Sequence, residues 1–89
     1  MLNEVTVRCL VQHKSLGVRI LGSFDKKVKY PIVPRVDDTL MFNEEEYPVE
    51  QVCFYEDGAV KVYITHDIHQ EQFNSISEEY LKHGWNKPK

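Results

Sequence analysis

Cysteine is scarce in this 89-residue chain. Cys9 and Cys53 are the only two, too few for a disulfide framework. No run approaches the ~20 consecutive apolar residues of a membrane span. The opening Met-Leu-Asn-Glu-Val has no basic leader followed by an apolar tract, so no secretory signal is read there. Together these absences predict a cytoplasmic protein with reduced thiols. The four glycines stand alone at 17, 22, 58 and 84, which leaves no glycine-rich loop to cradle a phosphate. Neither G-x-S-x-G nor H-E-x-x-H occurs, so the common hydrolase and zinc-protease signatures are missing. There is no internal repeat and no low-complexity linker. One small domain, residues 1–89, is therefore expected, with no cofactor implied.

The residues present favour a β-rich core. Five Tyr, four Phe and one Trp accompany 42% hydrophobic and 28% charged residues, an ordinary globular balance. Val5, Val7, Cys9 and Val11 alternate with polar residues, the period of a half-buried strand. "KSLG" (residues 14–17) reads as a turn. Val18 to Phe24 reads as a second strand with Gly22 at a bulge or bend, and "DKK" (25–27) as a second turn. Val28, Tyr30 and Ile32 alternate again, but Pro31 and Pro34 confine that stretch to an edge or a crossing. Asp37-Asp38 is read as a turn, Leu40 to Phe42 as a short strand, and Asn43 as a residue suited to a left-handed position.

Tyr47 to Tyr55 and Ala59 to Ile64 read as strands joined by Asp57-Gly58, a two-residue type I′ hairpin signal. That turn places Glu56 opposite Ala59. Val49, Cys53 and Tyr55 then share the core face with Val60, Val62 and Ile64, while Val52, Phe54 and Tyr63 cluster on the other face. Such a cluster needs a cover, either the C-terminal helix or another subunit, and the three residues are the interface candidates. The helix is expected over 68–83, with Phe73, Ile76 and Tyr80 on its apolar stripe. Gly84 and Trp85 suit the C′ and C″ positions of a Schellman ending, and residues 84–89 are expected to fray. The whole is an α+β domain: five or six strands, 4–65, in a small antiparallel bent sheet or SH3-like partial barrel, followed by one C-terminal helix.

Three constellations carry possible chemistry. In "YITHDIHQEQF" (63–73), His66 and His69 flank Asp67. Asp67 fits a helix N-cap with Gln70 three residues on, and two neighbouring histidines fall short of the three or four ligands of a zinc site. The stretch is read first as a strand-to-helix junction, and as a metal site only in a third, enzymatic reading. Charge is the second constellation. Residues 5–35 carry seven basic residues against Asp25, whereas residues 36–81 carry Lys61 against twelve acidic ones. Arg19, Lys26, Lys27, Lys29 and Arg35 are thus candidates for holding a nucleotide or other phosphate-bearing ligand. The net charge of −3 argues against duplex DNA. The third comprises Cys53 as a nucleophile and Asp37 with Asp38 as paired acids, both read as structural.

The segment from Pro34 to Ile64 resembles a pattern in small phage and prophage proteins of unassigned function, through Pro34, Val36, Asp38, Tyr47, Val49 and Val52. The resemblance implies an SH3-like small β-barrel and an accessory role exercised by binding. Such proteins occlude a host enzyme or sequester a nucleotide messenger as oligomers. The leading expectation is a non-catalytic interaction protein, a homodimer that binds and inhibits a host defence protein. The alternative is an oligomeric binder of a nucleotide-like anion. No catalytic residue and no membrane partner are expected.

Overall fold

The structure is a computed structural model that describes residues 2–13 and 19–88. The turn expected at 14–17 lies outside the described residues. Six strands, β1 (Asn3–His13), β2 (Arg19–Tyr30), β3 (Thr39–Phe42), β4 (Glu45–Pro48), β5 (Gln51–Phe54) and β6 (Val60–Asp67), precede a short 3₁₀ turn (Gln70–Gln72) and helix α1 (Phe73–Lys82). The class is α+β. An open four-stranded sheet has the order β2-β1-β6-β5, and β3 with β4 forms a separate two-stranded ribbon. The sheet is mixed: β1 pairs antiparallel with β2 but parallel with β6.

Alternation along β1 decides which way the sheet faces. Val5, Val7, Cys9 and Val11 are all buried, together with Val62 and Ile64 of β6 and Phe24 of β2. Burying each aliphatic side chain contributes about 1.5–3 kcal/mol. The β3–β4 ribbon lays Leu40 and Tyr47 into the same core, and α1 with its sequel adds Tyr80 and Trp85. The ribbon, α1 and Trp85 all cover this inner face.

Several strand boundaries differ from the sequence reading. "DKK" is not a turn. β2 runs unbroken through it because Asp25 is opposite Arg8 on β1 and takes a bidentate ion pair from its guanidinium, 2.7 and 2.9 Å. The extended run 47–55 is split instead. Val49 and Glu50 carry the chain from the ribbon to the sheet, so β4 pairs with β3 and β5 with β6. Gly22 does border a bulge. The register of β1 and β2 shifts between Val11 and Gln12, leaving Leu21 as the extra residue. A Cβ on Gly22 would lie 2.7 Å from the tip of the Phe73 ring, so the glycine seats the first residue of α1.

The β5–β6 hairpin corrects the predicted register by one residue. Tyr55 donates to Ala59 O at 2.9 Å and Gly58 donates to Tyr55 O at 3.0 Å. Gly58 has φ 90°, whereas Asp57 is not in the positive-φ region. This is a three-residue loop, a type I turn closed by a left-handed glycine, with Asp57 Oδ1 accepting from Ala59 N at 2.9 Å. Val52 therefore faces Val62, and Cys53 faces Lys61. A one-residue slip moves every side chain of a strand to the opposite face. Val52 packs against the core, and Cys53 turns to the outer face.

The helix begins later than predicted. β6 extends to Asp67, whose carboxylate accepts from Gln12 Nε2 at 2.7 Å rather than capping a helix. Gln72 Oε1 accepts from His69 N at 3.2 Å instead, two residues downstream of the expected box. At the other end Gly84 has φ 89°, Trp85 N donates to Tyr80 O at 3.0 Å, and Gly84 N donates to Leu81 O at 3.3 Å. These two bonds are the Schellman pair. The chain beyond does not fray at once. Trp85 is 2% exposed, and Asn86 exchanges two backbone hydrogen bonds with Asp25, 2.7 and 2.8 Å, on the free edge of β2.

Candidate functional site

The row of residues across the outer face follows from two registers. Thr6 on β1 is opposite Lys27 on β2 and beside Lys61 on β6, and Lys61 is opposite Cys53 on β5. The sequence Lys27–Thr6–Lys61 thus sets a hydroxyl between two ammonium groups on adjacent strands. The next row carries Asp25, Arg8 and Tyr63. The tail from Gly84 to Pro88 runs along the β2 edge and closes this region into an open cavity of about 650 Å3, lined by Thr6, Asp25, Lys26, Lys27, Lys61 and Lys87 among others.

The electrostatics of the groove turn on one carboxylate. Asp25 is its only acidic lining residue among the described residues, and both of its oxygens are engaged by Arg8. The arginine pKa is raised, first by that hydrogen bond. With Asp25 neutralised in this way, Lys27, Lys61 and Lys87 line the cavity with no ion pair among the described residues. Lys26 plays another part: its ammonium donates to His83 O at 3.0 Å and lies 5.8 and 6.0 Å from the Trp85 and Phe42 ring centroids. Lys61 Nζ lies 5.4 Å from the Tyr55 centroid.

Of the five basic residues singled out from the sequence, only Lys26 and Lys27 line this groove. Lys29 is exposed farther along β2, Arg19 lines a separate cavity beside Gln70 and Phe73, and Arg35 lines a third with Pro34 and Asp38. Thr6, Lys61 and Lys87 went unrecognised. Their relevance depends on the parallel pairing of β1 with β6 and on the docked tail, neither of which has a local sequence signal.

The proposed interface cluster separates. Val52 is half-buried on the inner face, Tyr63 is beside Arg8 on the outer face, and Phe54 is 72% exposed at the strand end. Helix α1 covers none of them as a group, since the register puts Val52 and Tyr63 on opposite faces.

His66 and His69 also diverge. His66 Nδ1 is 2.8 Å from Tyr80 OH. His69 stands beside His13, ring centroids 6.2 Å apart, and His13 Nδ1 is 3.0 Å from Ile68 O. Among the described residues no group of three or more His, Cys, Asp or Glu is disposed to hold a metal ion. Tyr80 OH also lies 3.2 Å from Cys9 Sγ. A phenol has one proton to give, so Tyr80 OH donates to one of these two partners and accepts from the other. Burial pushes the Cys9 thiol up to about 11, which keeps it protonated and unreactive at neutral pH. Burial likewise raises Tyr80 strongly and Tyr47 to about 12. Cys53 is half-buried on the outer face, where Gln51 Nε2 lies 3.4 Å from its sulfur. Asp37 and Asp38 belong to a turn: Asp37 has φ 75°, and Asp38 Oδ2 accepts from Arg35 N at 2.8 Å.

No protein-family model matches the chain, and no curated protein or solved structure is significantly similar to it. No helix among the described residues is long and apolar enough to cross a membrane.

Proposed function

We propose that the protein is a non-catalytic binding protein that takes a phosphate-bearing small molecule, such as a nucleotide, in the lysine groove of its outer sheet face. The observation that carries this reading is the row Lys27–Thr6–Lys61. It joins Lys87 in a groove where the Asp25 carboxylate is already bound to Arg8. Ammonium groups act as point charges for phosphate oxygens, and the threonine hydroxyl between them adds a neutral donor. The flanking aromatic residues, Tyr55 and Tyr63, supply surface on the same face for a base to rest on.

The test is calorimetric titration with ATP and with pyrophosphate, for the wild type and for the double variant Lys27→Glu/Lys61→Glu. Binding to the wild type that weakens with salt and is lost in the double variant supports the reading. Equal affinity in both proteins, or no binding of either probe, removes it. Lys26 is unsuited to this test because it secures the end of α1 through His83.

A second reading, an interaction protein that occludes a host protein, draws on the exposed Phe54 and Ile32, 72% and 76% accessible. Phe54→Glu should then abolish capture of that partner or dissociate a homodimer in native mass spectrometry. A monomeric wild type with no captured partner counts against it.

A further inference from the structure

The two edges of the four-stranded sheet are finished differently. At the β2 edge Asn86 exchanges two backbone hydrogen bonds with Asp25, 2.7 and 2.8 Å, so the tail already occupies it. At the β5 edge no described backbone group bonds from the outer side. Which groups are left open there follows from the hairpin. Tyr55 N donates to Ala59 O at 2.9 Å, so Tyr55 and, two residues back, Cys53 turn their backbone groups toward β6. The alternate residues, Val52 and Phe54, turn theirs outward. Each offers one N–H and one C=O to an added strand.

Val52 and Phe54 also share a side-chain face, because residues two apart on a strand do. Val52 packs against the core, and Phe54 beyond it is 72% exposed. An apolar residue on an added strand would rest against both and lengthen the inner face. The flanks of β5 are acidic. Glu50, Glu56 and Asp57 are exposed and make no ion pair among the described residues. No Lys, Arg or His occurs from residue 36 to residue 60. Lys61 lies one strand inward, its ammonium 5.4 Å from the Tyr55 ring centroid.

We infer that the β5 edge is a strand-addition site for an extended segment of another protein, apolar at its centre and basic at its ends. Backbone bonds to Val52 and Phe54 hold the segment. Alternate apolar side chains meet Val52 and Phe54, and Lys or Arg at the ends meets Glu50 and Glu56. A second copy of this chain is the poorer occupant. Self-pairing brings the acids of both copies to one short edge; centred on Cys53, it sets Glu50 opposite Glu56 twice, and like charges directly opposite are destabilising. β5 is four residues long, so the contact is small and belongs with transient complexes. Strand addition here gives the interaction-protein reading its surface and its partner chemistry. The lysine groove takes no part, so loss of phosphate binding leaves this site standing.

The test is an NMR titration of isotopically labelled wild-type protein with the end-blocked peptide Lys-Thr-Val-Thr-Val-Thr-Lys. Two control peptides share its pattern. One has Glu in place of both Lys, and the other carries N-methyl groups on both Val, which removes the backbone donors that would face Val52 and Phe54. The expected result is a saturable response centred on the Val52 and Phe54 amides, about tenfold weaker for the glutamate-ended peptide and lost for the N-methylated one. No saturable response to the lysine-ended peptide, a response centred elsewhere, or equal binding of either control overturns the inference. Glu50→Lys/Glu56→Lys alters only exposed side chains and should reverse the order, the glutamate-ended peptide binding more tightly; an unchanged order would also overturn it. Shifts of the Val52 and Phe54 amides on concentrating the protein alone would assign the edge to a second copy and overturn it too.

Discussion

The two faces of the four-stranded sheet are built from alternate residues of the same strands, and they differ in almost every property. The inner face carries Val5, Val7, Cys9, Val62 and Ile64 beneath the ribbon and the helix. The outer face carries Thr6, Arg8, Lys27, Lys61 and Tyr63, none of them buried. One face is held by shape, so a change there costs stability. The other is organised by charge, so a change there alters what the protein attracts. Asp25 is balanced locally by Arg8 and the row beside it is left basic, while Glu4 and Asp67 stand toward the two ends of the same face.

Substitutions can break this division, beginning on the inner side. Trp85→Ala removes a ring that anchors the tail and contacts Tyr80 and Phe42; a loss of about 3–5 kcal/mol is expected in urea unfolding. Alkaline pH should act on the same face. The folded-state pKa of Cys9 is raised from 9.0 to about 11. Its stabilising contribution is therefore complete below pH 9 and lost as pH rises toward 11, on the order of 2 kcal/mol for this group. Tyr80 and Tyr47 are shifted in the same direction and extend the loss to higher pH. A urea midpoint that stays constant from pH 8 to pH 11 would contradict this. Gly22→Ala forces a methyl onto Phe73 and should cost about 1–3 kcal/mol, read as a lower melting temperature.

The outer face should respond differently. Arg8→Gln breaks an ion pair whose partners are 25% and 21% exposed, so at most about 1 kcal/mol is expected. It also frees the Asp25 carboxylate into the groove and should weaken phosphate binding several-fold without touching the ligand. Lys27→Glu/Lys61→Glu should leave the melting temperature within the range of ordinary surface changes, about 0.5 kcal/mol, while binding is lost. If that double variant unfolds instead, the outer row is structural and the contrast between the faces fails.

Local pattern made much of this legible. The period-two run of β1 identified its buried face, because alternation is a property of one strand. The Gly84-Trp85 pair marked the helix end, because a left-handed residue there needs glycine and the apolar residue after it folds back. The hairpin was visible but its register was not. Asp-Gly fits both a two-residue and a three-residue loop, and the choice between them reversed the assignments of Val52 and Cys53. The continuation of β2 through Asp25 was hidden for a related reason: "DKK" has turn composition, and only the facing Arg8 makes an extended backbone favourable there.

The sequence by itself determined an α+β chain of five or six strands and one terminal helix, the apolar face of β1, and the helix ending. These depend on side chains within a few residues of one another. The tertiary structure decided that β1 lies parallel to β6, that Thr6 stands between Lys27 and Lys61, and that Phe42, Tyr47, His66, Tyr80 and Trp85 line one cavity. Those contacts join residues tens of positions apart. Their formation depends on which faces can be buried together, a condition that no short segment of the chain contains.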